Sequence, residues 1–392
     1  MSPRRVAAVA RRIAEGFRRD RRSLALLVVA PLLITALLGW VLRDQQQGSV
    51  EIVAVNQAGP LGDRIVAVLQ SAAATAADGT AVETATTREA AVAQIRTGTA
   101  DMALIIPASL PADVAGGSGP TLTVITNGTD PAAESGAFQS LQGLVGLVAG
   151  SLAPPGSTAT LVPRIQRETV YLSPDADQLD VLAPVFLGLF AYFFVFVLTG
   201  VSFLRERVGG TLERLLATPV QRSEIVLGYA IGFTIFATLQ VLVLTAYVLG
   251  RIDVPAIGPV GAFTIGLNVQ SAGSPAIAFL VAFLLAVGAV NLGIFLSTFA
   301  RTELQVVQFI PIVIVPQGLL GGVFWPIDRL PDVLQAVAHV LPVTYAVDAL
   351  REVMLKGSDL GSAAVQTDLA VLLAIAAVFV VLASLTIRRE VA

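Results

Sequence analysis

Side chains able to do covalent chemistry are few in this sequence and poorly placed for it. There is no cysteine, one histidine (His339) and one lysine (Lys356), so thiolate nucleophiles and Cys/His metal sites are excluded. A phosphate-cradling loop needs GxxxxGK[ST], whereas Lys356 follows Val-Met-Leu. Ser202, Ser297 and Ser384 lie in apolar runs with no basic partner, and those runs hold no paired aspartates. Serine and aspartyl hydrolysis within a membrane therefore lack their parts, and the chain reads as non-catalytic. What remains is charge at one place. Residues 205–223, RERVGGTLERLLATPVQRS, carry four arginines and two glutamates. Wound as helix, they put Val208, Leu212, Leu215 and Leu216 on one stripe and aim Arg207, Glu213 and Arg214 toward water. Gly209 and Gly210 loosen the backbone, Pro219 ends the turn, and Ser223 can cap the next helix, with Glu224 in its first turn.

The elements around this loop are apolar. The chain has 392 residues, 55% hydrophobic and 14% charged, with a mean hydropathy of +0.78, values that exclude an ordinary soluble enzyme. Runs at 23–43, 181–204, 224–250, 275–298, 304–324 and 369–387 each approach the ~20 residues that cross a bilayer. The expected fold is an α-helical polytopic membrane protein of six transmembrane helices. Before the first run, residues 1–22 hold eight arginines with Val6, Val9, Ile13 and Phe17 at helical spacing, a basic amphipathic helix suited to an anionic membrane surface. The stretch that ends the first run, GWVLRD, lacks a small-x-small cleavage site, so the run reads as an uncleaved span.

Residues 44–180 have the composition of a soluble domain. Strand patterns at Val50–Val55, Met102–Ile106 and Leu122–Thr126 alternate with helical ones near Leu61–Ala73, Arg88–Arg96 and Ala132–Leu152, predicting an inserted α/β (α+β) domain, with a break at Pro154, Pro155 and Gly156. A β/α ligand-binding module is the alternative for this part. Segment 325–356 is too polar to span and too apolar for a plain loop. With six spans both termini share one side, and fifteen of the 25 basic residues fall there, in about 50 residues. The positive-inside rule makes that side cytoplasmic and the 44–180 domain extracytoplasmic.

The 205–223 loop resembles the coupling-helix signature of ABC transporter permeases of the ABC-2 type, through Glu206, Gly210, Thr211, Leu212, Glu213, Leu215, Leu216 and Pro219. Segment 325–356 resembles the C-terminal signature of that family, where short helices re-enter the membrane on the outer side. Its matches are Pro326, Leu330, Pro331, Leu341, Pro342, Tyr345, Asp348 and Arg351. Residues 89–107 resemble the extracytoplasmic domain that one branch of these exporters inserts after the first span.

The resemblance implies a permease subunit in a bacterial cell membrane that pairs with a second permease, as homo- or heterodimer. It implies two cytoplasmic ABC ATPase subunits carrying ATP and Mg, with no cofactor in this chain and no nucleic-acid partner. It assigns Glu206, Arg207, Thr211, Glu213, Arg214 and Pro219 to ATPase coupling, and Phe190, Phe194, Gln308 and Gln317 to the substrate path between the second and fifth spans. The apolar stretches of the spans hold no Asp or Lys, with Glu224 and Glu303 only at their cytoplasmic ends, and Gln240, Asn291, Gln305, Gln308 and Gln317 in them suit helix–helix hydrogen bonding. An uncharged, aromatic path suits a hydrophobic or amphipathic cargo such as a drug, antibiotic or lipid, moved outward. Two other readings stay open: an extracytoplasmic sensor or scaffold anchored in the membrane, and a secondary transporter.

Overall fold

The computed structural model describes residues 1–42, 51–75, 81–116, 121–128, 138, 141, 164–172, 176–255, 263–323, 327 and 330–386. Pro326, the predicted helix around 132–152 apart from residues 138 and 141, the 154–156 break and the end of the chain from 387 lie outside them. The chain divides into two units, Met1–Trp40 with Leu182–Ala392, and Val41–Val181.

The second unit is built on a five-stranded sheet. Its strands are β1 (Glu51–Asn56), β2 (Ala81–Ala85), β3 (Met102–Ile106), β4 (Thr121–Thr126) and β5 (Arg164–Thr169), in the order β2-β1-β3-β4-β5. β2, β1 and β3 run parallel, β4 turns antiparallel to β3, and β5 is parallel to β4. Ile52, Met102, Thr126 and Thr169 form one row across it. Helices α3 (Pro60–Thr75) and α5 (Leu110–Ala115) cover one face, where Ile65, Leu69 and Leu110 meet Ile52, Leu104 and Val124. Helix α4 (Arg88–Thr97) covers the other with Ala91 and Ile95 against Val53, Val55 and Ile105. Burial on both faces explains why β1 and β3 read as unbroken apolar runs. The α/β character of this unit agrees with the sequence. β2 and β5 lacked a clear alternating pattern, being edge strands with half-exposed side chains.

The first unit is helical. It begins with α1 (Pro3–Arg19) and α2 (Arg21–Leu42), and resumes with α6 (Gln178–Val208), α7 (Thr211–Leu216) and α8 (Arg222–Leu249). A small hairpin of β6 (Ile252–Val254) and β7 (Phe263–Ile265) precedes α9 (Pro275–Ser297) and α10 (Glu303–Leu320). Then come α11 (Asp332–Ala338), α12 (Pro342–Met354) and α13 (Ala363–Thr386). Among the described residues five helices are long and apolar enough to cross a membrane: α6, α8, α9, α10 and α13. The pair α11–α12, bent by 83°, is a sixth candidate if taken as one span. In α2 the apolar part described is Leu27–Ala36, so the sixth span expected at 23–43 is not among those five.

Helix α9 is encased while α10 and α13 are largely exposed. Helices α6 and α9 touch backbone to backbone: a Cβ added at Gly293 would lie 3.0 Å from the Phe196 carbonyl oxygen and 3.2 Å from the Gly200 nitrogen. Small residues permit this approach, and it sets the end of α6 beside the end of α9.

Candidate functional site

The 205–223 stretch does not continue as one helix. Helix α6 runs to Val208, Gly209 comes next, and Gly210 takes φ +71°, a conformation that glycine adopts without strain. The break re-aims α7. Leu212 and Leu216 are buried, Leu215 is half-buried, and Glu213 and Arg214 are exposed. Val208 departs from the expected stripe: it belongs to the preceding helix and is 66% exposed. Thr211 opens α7, half-buried, and Pro219 lies exposed beyond its end.

The next helix begins two residues earlier than a Ser223 cap would allow. Gln221 is the cap of α8 and Glu224 closes a capping box by accepting from the Gln221 amide at 2.9 Å. Glu224 is also a receptor for α1. Its carboxylate, 1% exposed, accepts the Ser2 amide and lies 3.6 Å from Arg5. Arg5 in turn donates to the Pro219 carbonyl. Two turns further along α1, Arg12 pairs with Glu206, which also accepts from the Tyr229 hydroxyl at 3.0 Å. Burial lowers the Arg12 pKa, but Tyr229 and Glu206 outweigh that and hold it above its ordinary value, so Arg12 stays a cation at every physiological pH.

Between these polar clasps, α1 packs directly on α8. Val9 and Ile13, both buried, sit over Gly228 and Gly232. The apolar stripe of this amphipathic helix thus faces a helix groove, where the sequence pattern had suggested a lipid surface.

Arg207 also departs from expectation. Instead of pointing to water, its guanidinium donates to the carbonyls of Ser297 (3.0 Å), Thr298 and Ala300 at the C-terminal end of α9. The Ser297 carbonyl also accepts the Ala300 N–H at 3.3 Å, and a cation at this helix end balances the negative end of the helix dipole. Beside it, Arg205 makes a two-pronged pair with Glu303 at 2.7 and 3.2 Å. Three neighbouring side chains of α6 thereby fasten α1, the 298–302 link and the start of α10. Sequence reasoning missed these partners because they lie 90 to 194 positions away. The G-x-x-x-G of residues 228–232 was a local signal that could have found the α1 groove.

The aromatic and amide residues of the spans divide in two groups. Phe186, Phe190 and Phe194 line one side of α6, with ring centroids 5.9 and 6.1 Å apart, and the Phe190 carbonyl accepts from Gln240 at 3.1 Å. Gln308 is exposed on α10. Gln317 is 3% exposed. Its amide donates to the Tyr192 hydroxyl at 3.3 Å, and its carbonyl accepts the Val343 N–H at 3.1 Å, one of the orphan donors opening α12. Replacing Gln317 by leucine strands both partners, at about 1–3 kcal/mol for each buried group left unpaired. We expect a lower melting temperature in detergent; a variant that melts like wild type would show that the bridge is not structural.

Residues 21–385 match the sequence family described as ABC-2 family transporter protein. ABC transporter G family member 20 of Dictyostelium discoideum is 32% identical over 192 residues, 49% of this chain and 24% of that protein. Linearmycin resistance permease protein LnrN of Bacillus subtilis is 26% identical over 202 residues, 50% of this chain and 48% of that one. Inner membrane transport permease YhhJ of Escherichia coli is 27% identical over 197 residues, 50% and 48%. Each of these matches spans about half of this chain and about half or less of the relative.

Proposed function

Because the chain belongs to the ABC-2 family of transporter proteins, we propose that it is the permease subunit of an ATP-driven exporter. Two permeases, identical or different, would form the pore, and two cytoplasmic ABC ATPase subunits, which carry ATP and Mg, would drive it. The span assignment is six helices with α2 as the first, both termini and α7 on the cytoplasmic side of a bacterial cell membrane, and the 44–180 domain outside. The charge asymmetry between loops supports this orientation. The cargo is a hydrophobic or amphipathic molecule. Spans without charge in their apolar stretches support it, as do relatives named for linearmycin resistance and for transport.

One observation carries the proposal. Helix α7 seats Leu212 and Leu216 inward and presents Glu213 and Arg214 outward, while its flanks are tied to three other elements through Arg205, Glu206 and Arg207. A push on α7 from an ATPase surface would thus be passed to α1, α9 and α10 together. Glu213 and Arg214 are the residues placed to receive it.

The test is purification of the tagged chain from its native membrane in mild detergent, with identification of partners by mass spectrometry and an ATPase assay. Wild type is expected to retain a P-loop ATPase, and Glu213→Arg to lose most of it, since a like-charge clash at a docked surface costs several kcal/mol. If wild type brings down no ATPase, the sensor or scaffold reading replaces this one.

A further inference from the structure

A cleft of about 410 Å³ lies between α1, the end of α6 and the third turn of α8, within the ~300–1,000 Å³ range of small-molecule sites. Its charges have both signs. Arg12 and Arg205 line it together with Glu15, Asp20 and Glu206. An anion would face three carboxylates there and a cation two guanidinium groups, whereas a molecule carrying both charges meets both. Arg205 spends two donors on Glu303, of the five a guanidinium has, and Glu15, paired with Arg11 at 2.7 Å, keeps further acceptor positions on its carboxylate. Ile13 and Phe233, 4% and 3% exposed, close the floor of the cleft.

The position along the spans narrows the class of ligand. Helix α8 has 28 residues, roughly 42 Å at 1.5 Å per residue, about 12 Å more than a hydrocarbon core of ~30 Å. With the excess at its N-terminal end, Tyr229 and Glu206 sit among lipid headgroups and Phe233 at the acyl boundary. Gly16 gives a means of closing the cleft. It stands inside α1, where glycine weakens a helix, yet a Cβ added there would meet nothing within 4 Å, and the residue lines the cleft. Gly16 is exposed, so a larger side chain at this place would project into the cleft.

We propose that the cleft holds the headgroup of a zwitterionic phospholipid bearing a phosphate and a primary amine, with the phosphate at Arg12 and Arg205, the ammonium at Glu15 and Asp20, and the acyl chains extending from the cleft into the bilayer. The proposal rests on the membrane placement given above but not on the ATPase partner, so its test can fail without touching that reading.

The full chain in detergent is titrated with phosphatidylethanolamine, phosphatidylglycerol or tail-free phosphoethanolamine, and read by melting temperature and by lipids retained in native mass spectrometry. Phosphatidylethanolamine is expected to bind about tenfold more tightly than phosphatidylglycerol, as one charge-assisted ammonium contact would give. Gly16→Leu, which fills the cleft, should melt like wild type without lipid and lose the phosphatidylethanolamine-dependent rise. Asp20→Asn should erase the preference between the two lipids. Equal shifts with both lipids, or an undiminished rise in Gly16→Leu, would overturn the site. A full rise with phosphoethanolamine alone would overturn the lipid assignment. Should Gly16→Leu fail to fold, lipid retention by wild type against Asp20→Asn decides.

Discussion

Gly232→Leu is expected to lift α1 off α8 and to abolish transport. A Cβ at this glycine would lie 2.7 Å from the Ile13 Cβ and 3.2 Å from the Ala10 carbonyl oxygen; at Gly228 the corresponding distance to the Val9 Cβ is 2.6 Å. These neighbours are branched at Cβ or belong to the backbone, so no flexible side chain can swing away. Overpacking of this kind costs about 1–3 kcal/mol where it is absorbed, but two ion-paired clasps on the same helix restrict how it can be. Between helices bathed in lipid, close packing over small residues outweighs hydrophobic burial as the attractive force, so moving α1 outward by one methyl group removes most of what holds it. Arg12 would then leave Glu206, and Ser2 and Arg5 would leave Glu224. The measurement is amide hydrogen exchange over residues 3–19, together with transport in vesicles. Gly232→Ala, which adds one carbon, should show the smaller effect. Unchanged protection of α1 in the leucine variant would mean that the groove is not its seat.

The second large effect is expected at Arg207. Its replacement by alanine takes a charged donor from three carbonyls at the end of α9, of which Ser297 keeps the Ala300 N–H. Hydrogen bonds to a charged group contribute about 1.5–3 kcal/mol each when buried. Arg207 is half-exposed, and water recovers part of that, so a total loss of about 2–4 kcal/mol is expected, seen as a lower melting temperature. Lysine is not an adequate substitute, because one ammonium cannot reach three carbonyls spread over four residues as a planar fork can. Under the proposed function, Arg207→Lys should therefore retain the ATPase while transporting poorly. If Arg207→Lys transports like wild type, the fork geometry is irrelevant to coupling.

These two sites show which parts of the molecule can be read from sequence. The long spans were plain because hydropathy over twenty residues does not depend on tertiary context. Gly209-Gly210 and Pro219 marked the limits of α7 by their backbone chemistry alone, and Glu213 and Arg214 were recognisable as outward residues from helical spacing. The capping residue of α8 was misplaced because glutamine is an uncommon cap, and only its pairing with Glu224 makes it one. Arg207 could not be assigned, since its acceptors are backbone carbonyls, which carry no sequence signal. The Arg12–Glu206 pair was out of reach for a related reason: two charges of opposite sign 194 positions apart are one of many possible pairings.

The row Ile52–Met102–Thr126–Thr169 has a consequence for how such a chain could arise. Since β4 reverses the direction of the sheet and β5 keeps the reversed one, the polypeptide enters at one end of β1 and leaves at the same end of β5. The two points stand three strand spacings apart, roughly 14 Å. A segment whose two ends emerge side by side can be spliced into a single tight connection of an older protein, or deleted from it, without redirecting the helices before and after. Evolution can thus add, exchange or discard this module by one recombination event. A bridge of about five residues, extended at ~3.3 Å each, would be long enough to close the gap in a minimal version.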